Sequence, residues 1–279
     1  MQEDPIVIVG AARTPMGGFQ GSLTPLSAPE LGGYAIQGAV ERAGVAPEDV
    51  QDLIMGLCLF AGVKQAPARQ AAHLAGIPWG AGATTISKMC GSAMKATMLA
   101  HDNILAGSHD IMVAGGMESM TNAPYILPKA RGGYRLGNGD TVRDHMFMDG
   151  LEDAYDEGRL MGTFAEDTAE HYQFTREAQD NYAIESLIRA KKAVEDGSFD
   201  DEVVPVTVKT RKGETMVTSD EQPFNANIEK IPQLKPAFRK DGTVTPANSS
   251  SISDGAAALV LMKRSEAEKR GLTPKALIH

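Results

Sequence analysis

In Thr84-Thr-Ile-Ser-Lys-Met-Cys90-Gly-Ser-Ala-Met-Lys95 a short β-branched run gives way to a helix-forming one, and a cysteine falls between them. Residues 84–87, bounded by Gly82, have the length and branched side chains of a strand. Residues 92–106 run without glycine or proline and predict a helix. Cys90 is therefore expected at the joint. There the first N–H groups of the helix lack intrahelical partners, and the positive end of the helix dipole faces the side chain. Such surroundings favour the thiolate, the nucleophilic form of a group whose ordinary pKa is about 8.5. Gly91, Ser92 and Ala93 are small enough to let a ligand or another backbone come close. Two readings stay open on these residues alone: a nucleophile at an elbow, or a buried packing thiol.

The rest of the composition narrows the class. With 279 residues, 42% hydrophobic and 23% charged, the chain can build one large domain or two smaller ones. A formal net charge of −9, with no Lys/Arg run interleaved with aromatics, argues against nucleic-acid binding. Cys58 and Cys90 are too few for a disulfide framework, and Cys58, in the apolar run 53–60, reads as a buried structural thiol. The strand Ile6-Val-Ile-Val9 begins almost at once, without a basic segment and apolar core before it, and no apolar run approaches membrane-spanning length. The expectation is a cytoplasmic protein that neither crosses a membrane nor binds nucleic acid.

Outward from the elbow, the elements follow in a regular order. After the first strand, the glycine-bearing Met16-Gly-Gly-Phe-Gln-Gly21 is a loop. Ser27 and Glu30 have capping-box spacing, so a helix should start at Ala28, turn Leu31, Ala35, Ala39 and Ala43 inward, and stop at Gly44. A buried strand over 53–60 and a short helix over 67–75 complete a strand-helix-strand-helix order, which implies a layered α/β domain with parallel neighbours. In the helix after Cys90, Met94, Thr97, Met98, His101 and Leu105 form the expected buried stripe. His101, ~16 Å along that helix from Cys90 at 1.5 Å per residue, reads as structural. Ile111-Met-Val-Ala114 is the next strand, and Gly115-Gly116 would let a loop or a partner subunit pass closely.

From Thr121 to Ala247 the βα alternation stops, as expected of an inserted subdomain. Thr175 should cap a long helix, with Tyr182, Ile184, Leu187, Ile188 and Ala190 as its buried side and Gly197 as its stop. Val203-Val-Pro-Val-Thr-Val208 predicts an edge strand turned by Arg211-Lys-Gly-Glu214. Leu259-Val-Leu-Met262 returns as a strand, Ser265 and Glu268 suggest a second capping box, and a further strand begins near Pro274.

Met89-Cys-Gly-Ser-Ala-Met-Lys-Ala96 and Ala114-Gly-Gly-Met-Glu-Ser-Met-Thr-Asn-Ala-Pro-Tyr125, in this order and at this spacing, resemble two signatures of the thiolase family of acetyl-CoA acetyltransferases and 3-ketoacyl-CoA thiolases. Asn248-Ser-Ser-Ser-Ile-Ser-Asp-Gly-Ala-Ala-Ala258 is similar to the family's return to its core sheet. The resemblance implies a thiolase-like layered α-β-α core over 1–120 and 248–270. It also implies an inserted α+β loop subdomain over 121–247 covering the coenzyme A site, and the start of a missing C-terminal half at 271–279. Cys90 would then be the catalytic acyl acceptor. Leu151, Met161, Leu234, Ala237 and Phe238 match residues that line the thioester's arm, and Ser250 matches a serine facing the pantetheine amide. The implied substrate is acetyl-CoA or another acyl-CoA, within fatty acid metabolism, with no covalently bound cofactor and no metal. The implied assembly is a homodimer or homotetramer, and a large apolar face should stand exposed on this chain.

Four departures from the family pattern matter. No Gly-His-Pro or Cys-x-Gly-Gly-Gly segment occurs, and none of His73, His101, His109, His145, His171 and His279 precedes a proline. Leu160 stands where many biosynthetic members carry a histidine, Phe224 where an arginine for the nucleotide is common, and Ser251 where glycine is usual. The expectation is thus a thiolase-type acyltransferase whose Cys90 is acylated but turns over slowly in this polypeptide. The alternatives are a non-catalytic half that binds acyl-CoA or dimerises, and a cysteine hydrolase releasing free acid.

Overall fold

The computed structural model describes residues 4–137, 141–211 and 213–279. Its first part comprises β1 (Ile6–Arg13), β2 (Gly17–Gly18), α1 (Ala28–Ala43), β3 (Asp52–Gly56), α2 (Pro67–Leu74), β4 (Gly82–Ile86), α3 (Ser92–Leu105) and β5 (Ile111–Ser119). Then come β6 (Tyr125–Ile126), β7 (Arg143–Asp144), α4 (Met161–His171), α5 (Arg176–Glu195), β8 (Val206–Thr210), β9 (Gly213–Val217) and α6 (Gln222–Asn225). The chain closes with β10 (Ser253–Lys263), α7 (Arg264–Lys269) and β11 (Ala276–Leu277).

The main sheet has the order β11-β1-β10-β5-β3-β4, with β2 added to β10. β4, β3 and β5 are parallel, as the strand-helix alternation predicts, whereas β10 runs antiparallel to both β5 and β1. Pleating sends alternate side chains to opposite faces. Val9, Met55, Val113 and Met262 pack under α1 and α2, while Ile54, Met112, Ala114 and Leu261 pack under Ala96, Ala100 and Ile104 of α3. The result is the expected α-β-α layering. α1 has its capping box, with the Glu30 carboxylate accepting the Ser27 N–H at 2.7 Å, and it ends at Gly44 in the left-handed region at φ 69°.

Several expectations fail for physical reasons. α3 buries Ser92, Ala96, Ala100 and Ile104, whereas Met94 and Met98 are 73% and 51% exposed and Leu105 is exposed too. Small residues face the sheet because the strands beneath carry glycine: a Cβ on Gly116 would lie 2.8 Å from the Ala93 Cβ. The helix therefore sits close, and its large apolar side chains point away. Gly115 admits neither a loop nor a partner; the β10 backbone passes there, 2.1 Å from where a Cβ would stand. Only Asp180 of α5 is fully buried, while Tyr182 and Ile188 are exposed. That helix is held by polar contacts, Arg176 Nε donating to Asp180 at 2.7 Å and Asn248 Nδ2 donating to it at 2.9 Å. Pro205 precedes β8, whose strand starts only once N–H donors are available. Lys212 of the predicted turn lies outside the described residues. Ser265 does not cap α7; its N–H and hydroxyl donate to the Asp4 carboxylate at 3.0 and 2.6 Å.

Candidate active site

Cys90 lies between β4 and α3, as the sequence predicts, and it is exposed. The turn is tight: Met89 holds φ 47°, a left-handed conformation that costs a non-glycine residue about 1–2 kcal/mol. Ser92 fixes it. Its hydroxyl donates to the Met89 carbonyl at 2.5 Å and accepts the Lys88 N–H at 2.8 Å, while the Gly91 N–H donates to the Lys88 carbonyl at 3.1 Å. Gly56 completes the seat, since a Cβ there would fall 2.7 Å from the backbone of Ser92 and Ala93.

The thiol opens on a cavity of about 460 Å³ at the carboxyl ends of the parallel strands, the usual ligand position in α/β sheets. Cys58, Leu59, Glu118, Met146 and Leu151 line it with Cys90, and Arg13 and Asp254 reach it from β1 and β10. β3 ends earlier than predicted: the Leu57 N–H still donates to the Ile86 carbonyl of β4 at 3.0 Å, but the Glu118 carboxylate then takes the N–H groups of Cys58 at 2.8 Å and Leu59 at 3.2 Å. Burial holds the Glu118 carboxyl above the usual carboxylate range, an effect these two donors partly offset. Burial, and next the Glu118 charge, push the Cys58 thiol up to about 11. The Cys58 sulfur lies 3.8 Å from the Ser92 hydroxyl, so both cysteines contact or flank the same serine.

Of the residues singled out by resemblance, the structure brings Cys90 and Leu151 to this cavity. Met161, Leu234, Ala237, Phe238 and Ser250 are elsewhere. Phe238 packs against Gly162 at the start of α4, where a Cβ would lie 2.2 Å from its ring; the Ala237 N–H donates to the Val244 carbonyl at 2.9 Å; and the Leu234 carbonyl accepts Arg176 at 2.9 Å. Met161, Ala237 and Ser250 are exposed. Sequence reasoning missed three groups around the cavity. Glu118 lies within Ala114–Tyr125, where nothing in the local residue pattern marks it. Arg13 spans the fold, donating to Glu202 at 2.6 Å and to both oxygens of Asp220 at 2.7 and 3.0 Å. His145 is buried beside Glu118, its Nδ1 2.6 Å from Asp149, and only its i,i+4 spacing to that aspartate could have signalled it.

A family model for the N-terminal domain of thiolase matches residues 6–265. The chain belongs to the thiolase family. Its sequence is 50% identical over 275 residues to acetyl-CoA acetyltransferase of Cupriavidus necator, covering 98% of this chain and 70% of that enzyme. It is 46% identical to acetyl-CoA acetyltransferase of Schizosaccharomyces pombe, over 98% of this chain and 69% of that one. The fold matches an acetyl-CoA acetyltransferase from Syntrophomonas wolfei at TM-score 0.91 and 43% identity, covering 97% of this chain and 68% of the other. It matches a thiolase from Ascaris suum, solved in complex with coenzyme A, at TM-score 0.91 and 40% identity, covering 99% and 70%. The elbow thiol thus sits in a thiolase fold of the acyltransferase class. Among the described residues no helix is long and apolar enough to cross a membrane.

Proposed function

We propose that Cys90 is the acyl acceptor of a thiolase-type reaction on acetyl-CoA or another acyl-CoA. The observation that carries this is the placement of an exposed thiol at the strand-helix elbow, opening on an apolar-walled cavity. The Cys90 sulfur, as thiolate, attacks the thioester carbonyl. The electron pair moves onto oxygen, where the Cys90 N–H at the helix start is offered as donor. Collapse breaks the bond to the coenzyme A sulfur, which leaves as thiolate and takes up a proton, and the acyl group stays on Cys90. Transfer onward to coenzyme A or to the carbanion of a second acyl-CoA divides one hard step into two. Leu151 lies at the cavity wall in this reading. Met161, Leu234, Ala237, Phe238 and Ser250 serve the longer arm of coenzyme A, on the inserted segment 121–247 and the return to β10. Coenzyme A enters as substrate, and two or four copies associate.

Mixing the chain with acetyl-CoA and following free thiol tests the first half. The expected result is a burst of about one coenzyme A per chain, absent in Cys90→Ala. Continued release with free acetate would assign a hydrolase instead, and no burst would leave a chain that binds without reacting.

A further inference from the structure

We infer that His145 is a positioning residue that holds one wall of the acyl cavity in place through a histidine-aspartate clip. The inference rests on the acyltransferase reading for its kinetic consequence, but its geometry stands by itself. Two separate segments form the wall. One is the loop after β3, with Cys58 and Leu59; the other is the single wide helical turn Met146–Leu151, with Met146, Gly150 and Leu151. Such wide turns store irregular backbone where a site needs it. The segments come close at Gly150, where an added Cβ would lie 3.1 Å from Leu59 Cδ2.

His145 joins them. Its ring is buried, 5% exposed, at the start of the wide turn. Nε2 accepts the Ala61 N–H at 3.2 Å, so that nitrogen carries no proton in this arrangement. Nδ1 then bears the hydrogen and donates it to Asp149 Oδ2 at 2.6 Å, four residues along the same turn. Asp149 thereby fixes the tautomer and points the acceptor at the loop, the logic by which a carboxylate orients an imidazole in many sites. The backbone is tied as well, with the His145 N–H donating to the Pro124 carbonyl at 3.1 Å. On the other side of the loop Glu118 takes the Cys58 and Leu59 N–H groups, so residues 58–61 are gripped by two side chains from different elements. No atom of His145 itself lines the cavity. It acts on substrate only through the two segments it joins.

An acceptor is therefore what position 145 requires, more than a ring. A leucine would leave the Ala61 N–H without its partner and let the wall part, whereas the glutamine carbonyl can reach the place of Nε2. The test measures the coenzyme A burst against acyl-CoA concentration in the intact chain, together with amide exchange at Ala61. His145→Leu should raise the half-saturating acetyl-CoA by about tenfold, the factor for one hydrogen bond near 1.4 kcal/mol, with the maximal rate nearly unchanged. Ala61 exchange should accelerate. His145→Gln should restore half-saturation to within about threefold and slow that exchange again. An unchanged half-saturation in a folded His145→Leu would overturn the assignment. So would a His145→Gln as impaired as the leucine variant, which would make ring packing the only role. If the wild-type chain gives no burst, the acyltransferase reading falls, and Ala61 exchange alone then decides the clip.

Discussion

Cys58 and Cys90 look into one cavity, yet only one has the surroundings of a nucleophile. Cys90 is exposed at a helix start, while burial and the Glu118 carboxylate raise the Cys58 thiol to about 11. The raised value means that Cys58 is protonated through the neutral range and ionises only as pH climbs toward 11. At neutral pH iodoacetamide should thus label Cys90 first, and the Cys58 rate should climb about tenfold for each pH unit between 7 and 10. Peptide-resolved mass spectrometry reads both rates; comparable labelling at pH 7 would contradict this electrostatic contrast. The cysteine position was legible from sequence because a strand signal, a helix signal and the residue between them are all local. Glu118, Arg13 and the reach of His145 to Ala61 were not, since each acts on backbone or charge far along the chain, and no local spacing encodes such a contact.

At the level of elements, the elbow depends on what lies beneath it. β3 reaches the start of α3 only because Gly56 has no side chain, and any Cβ there meets Ser92 and Ala93 at 2.7 Å. Since the obstacle is backbone, the helix start must shift. Gly56→Ala should lower stability by about 1–3 kcal/mol, the range for overpacking, and slow Cys90 alkylation at neutral pH by disturbing the Ser92 clamp. Thermal unfolding and the labelling rate check the two parts, and an unchanged Cys90 rate would show that the elbow does not depend on this contact. The same packing explains where pattern reading failed. Apolar residues at Met94, Met98 and Leu105 have helical spacing, and so do Ala96, Ala100 and Ile104; spacing identifies a stripe but not which stripe faces the sheet. The glycines on β3 and β5 decide for the small one. In α5 apolar spacing again suggested burial, but Arg176, Asp180 and Asn248 hold the helix through a polar contact.

For the whole molecule, the layered core was legible because sheet, helices and turn glycines alternate in a regular order, and the mixed strand directions were not, because β10 returns from beyond residue 250. Met94, Met98 and Leu105 stand exposed along one edge of α3, a helix already packed on its other side. We expect these residues to be covered in an assembly of this chain, as association through this part of the subunit would do. Sedimentation at micromolar concentration should show at least a dimer, and Met94→Glu with Met98→Glu should shift it toward monomer. A clean monomer of the unaltered chain would contradict this expectation.

Whether the thiol at the β4-α3 elbow takes an acyl group from coenzyme A is decided by acid-quenching the chain after exposure to acetyl-CoA and mapping the product by peptide mass spectrometry. One added acetyl group is expected on the peptide containing Cys90, none on that containing Cys58, and none in Cys90→Ala. Acetylation confined to Cys58, or an unmodified Cys90 at saturating acetyl-CoA, would contradict it.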